Sequence, residues 1–194
     1  NRICLPAMLI TTFNNPNYFH WTTMPGLVPL MLQDYFKIDN QNQQVLLLSS
    51  SNRHKLPNYI DDILGIVAPE KEIYKSKTIG SKINTRFCLQ QIKSEVGVSE
   101  LLTKWWNKKL EYKFSSSFFP KRRLFVSRKN SSKRRCINED ILYDSLRKLG
   151  FEFIALEKLS VFNQLKLFSE ASIIVTTHGA GLSNLLACKQ GTKI

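Results

Sequence analysis

The sequence predicts an α/β protein with parallel sheets, and three observations carry that prediction. Short apolar runs are bounded by polar loops, amphipathic helical segments lie between these runs, and a glycine-rich turn joins a strand to a helix at Ser172–Asn184, SIIVTTHGAGLSN. Strands that alternate with helices form parallel sheets with right-handed crossovers, and such sheets bind ligands at the carboxyl ends of their strands.

The first half of the chain alternates apolar segments with helical ones. The helix before the linker carries Trp105 and Trp106 on its apolar face, which we interpret as core residues, with sugar stacking as the alternative. In chain order the segments are an apolar run at Leu5–Thr12, two short helices within Tyr18–Phe36 interrupted by Pro25 and Pro29, a strand at Val45–Leu48, a helix at Lys55–Gly65 capped by Gly65, a strand at Lys71–Ile79 and a helix at Val98–Tyr112.

The second half predicts the order β-α-β-α-β-α-β with a parallel sheet. In chain order its segments are a strand at Arg123–Ser127, a helix at Asn138–Leu149 with Asn138 as N-cap and Gly150 as its stop, a strand at Phe151–Leu156, a helix at Ser160–Phe168 capped by Ser160, a strand at Ile173–Thr177, a helix after the glycine turn and the start of a strand at Gly191–Ile194. The inward faces of the two helices are predicted to be Ile141, Leu142, Leu146 and Leu149, and Phe162, Leu165 and Phe168.

A linker divides the chain into two predicted domains. Ser115–Ser117 followed by Pro120 is the best linker signal, so we place the domains at 1–117 and 118–194. Because the chain ends on what predicts the beginning of a strand, we expect both domains to be incomplete and further segments to lie beyond both ends.

Composition narrows the class of partner. The 194 residues carry 28 basic and 15 acidic side chains, a net charge of +13, which predicts an anionic partner: nucleotide phosphates, nucleic acid or an acidic membrane. The four cysteines are widely spaced and suggest neither a zinc site nor a disulfide framework, so we expect free thiols in a reducing compartment. No apolar run approaches the roughly 20 residues of a membrane span, and no signal peptide is recognisable.

The turn at His178–Gly181 has the local design of a phosphate site. Glycine lacks a Cβ and permits positive φ, so backbone N–H groups approach a ligand closely, and a helix N-terminus adds about half a positive charge. The alternative is a simple packing turn between a strand and a helix.

The loop after the first strand of the second half is strongly basic. It carries Arg128, Lys129, Lys133, Arg134 and Arg135 among small polar residues, in place of the G-x-G-x-x-G of dinucleotide-binding proteins, and the chain has no P-loop motif. Because both loops follow strands of one sheet, these cations are predicted to converge with the glycine turn on a diphosphate. The alternative is a solvated basic loop.

The second half resembles glycosyltransferase family 61 over about seventy residues. The resemblance rests, in order, on R-x-L-F-V-S-R ending at Arg128, R-x-x-N-E at Arg135–Glu139, L-G-F-E at Leu149–Glu152, L-E-K-L-S at Leu156–Ser160, Q-x-x-L-F-x-x-A at Gln164–Ala171 and H-G-A-G-L-x-N at His178–Asn184. It implies two Rossmann-like domains of the GT-B type, with the acceptor on the side of the first domain and a nucleotide-sugar donor held mainly by the second.

The first half resembles the family in Asn17-x-x-His20-Trp21. Many relatives carry an acid three or four positions after that histidine, where this chain has Thr23 and Met24. If that acid is the general base, His20 or Asp34 or a residue beyond the chain would replace it. From the residues alone, His20 is a helix cap or a core hydrogen-bonding residue as readily as a catalyst.

The resemblance implies inverting transfer of a sugar from a nucleotide-diphosphate donor to an acceptor hydroxyl. Cations and a helix N-terminus would stabilise the leaving diphosphate, and the chain has no D-x-D metal motif, so no metal or other cofactor is expected. The implied donor-binding residues are Arg128, Arg135, Asn138, Glu139, His178, Gly179, Ala180, Gly181, Leu182, Ser183 and Asn184. For Glu139, support of its own helix and ligand contact are equal alternatives.

Two other functions are weighed against the enzyme. One is a non-catalytic relative that binds a nucleotide sugar or glycan, and the other is a nucleic-acid-binding module, which the missing recognition motifs disfavour. As an enzyme the chain is expected to act in surface or capsular polysaccharide synthesis, in the cytoplasm and peripherally at the anionic inner membrane face where lipid-linked acceptors lie.

Overall fold

The computed structural model describes residues 7–12, 17–23, 27–35, 45–50, 57–76, 100–111, 113–114 and 120–194. The chain divides into two compact units, 1–105 and 106–194. Within the described residues each unit holds a three-stranded parallel sheet flanked along the chain by helices, which confirms the α/β class. The predicted boundary after Ser117 lies outside the described residues and stays a prediction.

The sheet of the first unit consists of β1 (Ala7–Thr12), β2 (Val45–Ser50) and β3 (Glu72–Ser76), in the order β1-β2-β3. Leu9 lies opposite Leu47, and Leu47 lies opposite Tyr74. All three strands fall on the predicted apolar segments, and β2 runs two residues further than predicted.

Two short helices follow β1, as predicted: α1 (Tyr18–Thr23) and α2 (Val28–Tyr35). Asn17 caps α1, because its side-chain oxygen accepts a hydrogen bond from Phe19 N at 2.9 Å. The predicted interruption at Pro29 is wrong: Pro29 lies in the first turn of α2, where a missing N–H costs nothing.

The third helix, α3 (Tyr59–Val67), corrects one prediction. The sequence predicts Gly65 as its cap, but the helix continues past Gly65 and its C-cap is Ala68, whose N–H donates to Leu64 O at 2.8 Å. The apolar spacing is strong enough to carry the helix through the glycine: Ile60, Ile63, Leu64, Ile66 and Val67 are buried. Lys55 and Leu56 lie outside the described residues.

Gly65→Ala is therefore expected to stabilise the chain. Gly65 is helical and exposed, and a Cβ at this position would have no atom within 4 Å. Alanine reduces the backbone entropy lost on folding, so the free energy of unfolding should rise by roughly 0.5–1 kcal/mol. Urea unfolding of the two proteins measures the difference, and a loss of stability would contradict the helical assignment.

The helix α4 (Glu100–Glu111) carries both predicted core tryptophans. Trp105 is 9% exposed and Trp106 is 1% exposed, which confirms the core interpretation. The indole Nε1 of Trp105 donates to Asp34 Oδ2 at 2.8 Å.

The sheet of the second unit has the order β5-β4-β6, from β4 (Arg122–Val126), β5 (Phe151–Ile154) and β6 (Ala171–Thr176). Between these strands lie α5 (Glu139–Arg147) and α6 (Val161–Ser169), and 3-10 helices span Leu156–Lys158 and Ala180–Ala187. Lys193 forms a parallel bridge with Ile173, where the sequence predicts a further strand. No helix among the described residues is both long and apolar enough to cross a bilayer.

The predicted inward face of α5 is wrong at three of its four residues, and the fourth, Leu146, is half-buried. Ile141 is 69% exposed, Leu142 is 37% exposed, and Leu149, just past the helix, is 59% exposed. The helix instead turns Tyr143 to the sheet, where its ring lies 6.0 Å from that of Phe125 and packs against Phe153. Helical spacing allows either set of residues to face the sheet, and the larger aromatic surface lies inward.

The helices of the second unit begin and end close to the predicted cap and stop residues, with local differences. Asn138 is the N-cap residue of α5 but makes no side-chain cap bond, and Gly150 ends that segment with φ of +78°, a conformation that favours glycine. Ser160 caps α6 by accepting from Asn163 N at 3.3 Å. Phe162, predicted to face inward, is 39% exposed.

Candidate functional site

The second sheet places two loops side by side at a change of winding direction. The chain passes from the central strand β4 outward to β5, and then crosses to β6 on the other side of β4. The loops that follow β4 and β6 therefore lie at neighbouring carboxyl ends, which is the position where open α/β sheets bind ligands. These loops are the basic loop, Ser127–Asn138, and the glycine turn, Thr177–Gly181.

The basic loop and the glycine turn touch at three points. Arg128 packs against Gly179, the guanidinium Nη1 of Arg134 hydrogen-bonds His178 Nδ1, and Thr177 Oγ1 donates to Arg134 O at 3.3 Å. Arg134 also has φ of +58°, so the loop bends sharply where it meets the turn. The predicted convergence of the two segments is thus present in the structure.

Arg128 is held in place by its own loop. Its Nη2 donates to Ser131 Oγ at 2.7 Å and to Lys133 O at 3.1 Å, while its Nε is buried with no hydrogen-bond partner. A buried N–H without a partner is costly, and an anion bound at this edge would supply the missing acceptor. The guanidinium is therefore pre-positioned with donors still free beside the turn.

The two glycines of the turn allow neighbouring side chains to approach its backbone closely. Gly179 has φ of 179°, which is extended backbone, and Gly181 also lies outside the positive-φ region, so neither glycine uses the positive φ that glycine permits. A Cβ on Gly179 would lie 2.7 Å from Arg128 Cζ, and one on Gly181 would lie 2.5 Å from Leu156 Cδ1. The absent side chains make room for a cation and for a leucine.

The helix after the turn offers backbone donors beside Arg128. It is a 3-10 helix whose first bond runs from Leu182 N to Gly179 O at 3.0 Å. The N–H groups of Ala180 and Gly181 precede that bond and lie outside the hydrogen bonding of the helix. Of the amides predicted to cradle a phosphate, Leu182 is thus already engaged.

His178 is oriented by Arg134. A guanidinium only donates, so Nδ1 of the exposed imidazole accepts, and the ring is in the tautomer that carries its proton on Nε2. Nε2–H is then a donor aimed away from Arg134, which suits a phosphate or sugar oxygen.

Glu139 holds the start of the basic loop from inside. Glu139 is 4% exposed, and its carboxylate accepts hydrogen bonds from the Ser127 hydroxyl and from the backbone N–H of Arg128, the latter at 3.1 Å. Ser127 Oγ in turn accepts from Lys129 N at 3.1 Å. The structure therefore shows Glu139 as a buried anchor for the backbone that carries Arg128.

Glu139→Gln is expected to destabilise the chain and loosen Arg128. A glutamine offers one acceptor oxygen and an NH₂ group, so either the Ser127 hydroxyl or the Arg128 N–H loses its acceptor, at a cost of about 1–3 kcal/mol in free energy of unfolding. Urea unfolding measures this cost. The control is Asp140→Asn, a neighbouring exposed acid paired with Lys129, whose loss should change stability little. Equal effects of the two substitutions would contradict the anchor.

The remaining predicted donor-binding residues divide into exposed and buried groups. Arg135 and Asn138 are exposed on the basic loop, and Asn138 Oδ1 accepts from Cys136 Sγ at 3.2 Å. Ser183 and Asn184 are buried: the hydroxyl of Ser183 donates to Ala180 O, and the amide of Asn184 donates to the Gln164 side chain at 2.9 Å. Their predicted contacts with a donor stay predictions.

The first unit contains the positions where many relatives carry an acid, Thr23 and Met24, and the candidate base Asp34. Thr23 is buried, and its hydroxyl donates to Phe19 O at 2.6 Å within α1. Asp34 binds the indole of Trp105. Met24 and the side chain of His20 lie outside what the structure describes, so the general base stays a prediction.

The comparison with known families decides the class. The family profile of Glycosyltransferase 61 matches residues 4–194, nearly the whole chain. The chain belongs to glycosyltransferase family 61. Membership supports a glycosyltransferase, an enzyme that uses a sugar donor and an acceptor. No curated protein matches the chain significantly.

Family 61 membership extends the resemblance from the second half to the first, which carries few of the quoted motifs. Ser127, Ser131 and Gln164 also support the site and are not among the residues that the sequence predicts for it. A polar residue directly after a buried strand was the available signal for Ser127, and the quoted motif that begins at Gln164 was the signal for that residue.

Proposed function

We propose that the chain transfers a sugar, a hexose or a pentose, from a nucleotide-diphosphate sugar to an acceptor hydroxyl with inversion at the anomeric carbon. The observation that carries the proposal is the Arg128 guanidinium packed on the Gly179 backbone, with a buried Nε that lacks an acceptor. A developing diphosphate charge at this point meets a cation and free N–H groups in a preorganised arrangement. Family membership supports the transferase class.

Each residue of the clamp has a stated role. We define the clamp as Arg128, Gly179 and the N–H groups of Ala180 and Gly181, with His178 beside them. Arg128 and the N–H groups bind the diphosphate, which supplies the acceptor that Arg128 Nε lacks, and His178 Nε2–H donates to a phosphate or sugar oxygen. Arg135 is exposed and adds charge at the mouth of the site.

The remaining parts of the proposal rest on the resemblance and on charge. The two parallel sheets agree with two Rossmann-like domains of the GT-B type, with the donor held by the second. No metal or other cofactor is required, because the clamp supplies the positive charge. The setting is polysaccharide synthesis at the cytoplasmic face of a membrane, in keeping with a net charge of +13.

A non-catalytic relative is the second candidate, favoured by the state of the possible bases. Thr23, at a position where many relatives carry an acid, bonds its own helix, and the Asp34 carboxylate accepts a hydrogen bond from the Trp105 indole. Such a relative would bind the donor through the same clamp. Release of free nucleotide from a bound donor, with or without an acceptor, separates the enzyme from it.

A thermal-unfolding screen of nucleotide sugars tests the clamp. A donor at about one hundred times its Kd adds about 2.7 kcal/mol to the free energy of unfolding and raises Tm by several degrees. UDP-, GDP- and dTDP-sugars carry a diphosphate, and at least one should stabilise the chain. CMP-sugars carry a single phosphate and serve as the control. Stabilisation by oligonucleotides alone, with a steep salt dependence, would instead support a nucleic-acid module.

A further inference from the structure

The start of α5 exposes apolar side chains that the site does not use. Ile137, just before the N-cap of α5, is 103% exposed, and Ile141 and Leu142 in the first turn of the helix are 69% and 37% exposed. We call these three residues the apolar patch. Exposed apolar side chains so close together in the chain favour a surface that contacts a partner.

Cations adjoin the apolar patch directly. Lys133, Arg134 and Arg135 precede Ile137 in the chain and are all exposed. Across residues 128–149 there are seven basic and three acidic side chains. Of the three acids, Glu139 is buried on Ser127, Asp140 is exposed but paired with Lys129 Nζ at 2.8 Å, and Asp144 is exposed, so the basic side chains of the segment outnumber its exposed acids.

We propose that the apolar patch and Lys133–Arg135 form a docking surface for an anionic lipid bilayer. Peripheral proteins are held on membranes by two kinds of side chain together. Apolar side chains enter the interface, and neighbouring lysines and arginines contact the acidic headgroups. Charge decides against a second copy of the chain as the occupant. A self-complementary contact would set one basic segment against another, at a net charge of +13 per chain.

The docking surface belongs to the loop that builds the clamp. Because α5 begins where the basic loop ends, the apolar patch lies at the same edge of the sheet as Arg128 and His178. Resting on the proposed function, this places the site at the bilayer surface, where an acceptor sugar on a lipid anchor is held. The donor would reach the site from the aqueous side.

Vesicle binding of the full chain tests the docking surface without donor, acceptor or turnover. The chain should sediment with phosphatidylcholine vesicles that contain phosphatidylglycerol, and much less with phosphatidylcholine alone or at high salt. The pair Ile137→Ser and Ile141→Ser should weaken partitioning about tenfold or more. The matched control is Ile194→Ser, since Ile194 is 71% exposed outside the segment.

Charge variants complete the test. Lys133→Gln and Arg135→Gln should each weaken partitioning about fivefold, which corresponds to about 1 kcal/mol per cation, whereas Lys193→Gln should not. Equal binding to neutral vesicles, or an Ile194→Ser loss as large as that of the pair, would overturn the proposal. A dimer in sedimentation velocity that the isoleucine pair abolishes would also overturn it, in favour of self-association. If the chain binds vesicles as expected but binds no nucleotide sugar, the docking surface stands and the clamp is refuted.

Discussion

Arg128→Ala should reduce sugar transfer about a hundredfold or more while the chain stays folded. Removing one well-placed donor to a developing oxyanion costs about 2–4 kcal/mol of transition-state stabilisation, and the Arg128 guanidinium packs against Gly179. The measurement is turnover with whichever nucleotide sugar stabilises the wild type. Unimpaired turnover would remove Arg128 from the site.

Two further variants separate charge from geometry. Arg147→Ala removes an exposed arginine at the end of α5 and should leave transfer near the wild-type rate. Arg128→Lys keeps the charge but cannot hold Ser131 and Lys133 O while also facing the ligand. It should therefore recover only part of the lost activity, and full recovery would show that a point charge suffices.

Gly179→Ala should weaken diphosphate binding roughly 10–100-fold with little change in folding. The new Cβ would overlap the end of the Arg128 side chain, which is flexible and can move away, and φ of 179° suits any residue. The guanidinium would then lose its charge-assisted hydrogen bond to the ligand, worth about 1.5–3 kcal/mol. Titration calorimetry with a nucleoside diphosphate measures the loss. Gly65→Ala is the control, because its Cβ meets nothing.

The alternation of strands and helices could be predicted because it is local. Short apolar runs placed β2 to β6 close to their positions in the described residues, and β1 lies within the apolar run at Leu5–Thr12. The facing of α5 could not be predicted in this way, since Tyr143 and Ile141 both follow a helical period and only packing on Phe125 selects Tyr143. The end of α3 could not be predicted for a related reason. Glycine ends many helices, but buried residues on both sides of Gly65 stabilise α3 beyond it.

The part of the site that depends on strand topology could be predicted from the sequence. The loops after β4 and β6 were expected to meet because carboxyl ends of parallel strands share an edge, and they do meet at Arg128 and Gly179. The anchoring of Ser127 by Glu139, twelve residues later, depends on the path of the loop and on burial, which no spacing reveals.

A double-mutant cycle on diphosphate binding tests the clamp most directly. Gly179→Ala acts through Arg128, so in a chain that already carries Arg128→Ala the alanine at position 179 should cost almost nothing further. We predict that the double variant binds a nucleoside diphosphate as weakly as Arg128→Ala alone, and that all the variants unfold cooperatively. Losses that add in full would contradict the clamp, because they would show that Gly179 and Arg128 contribute to binding independently.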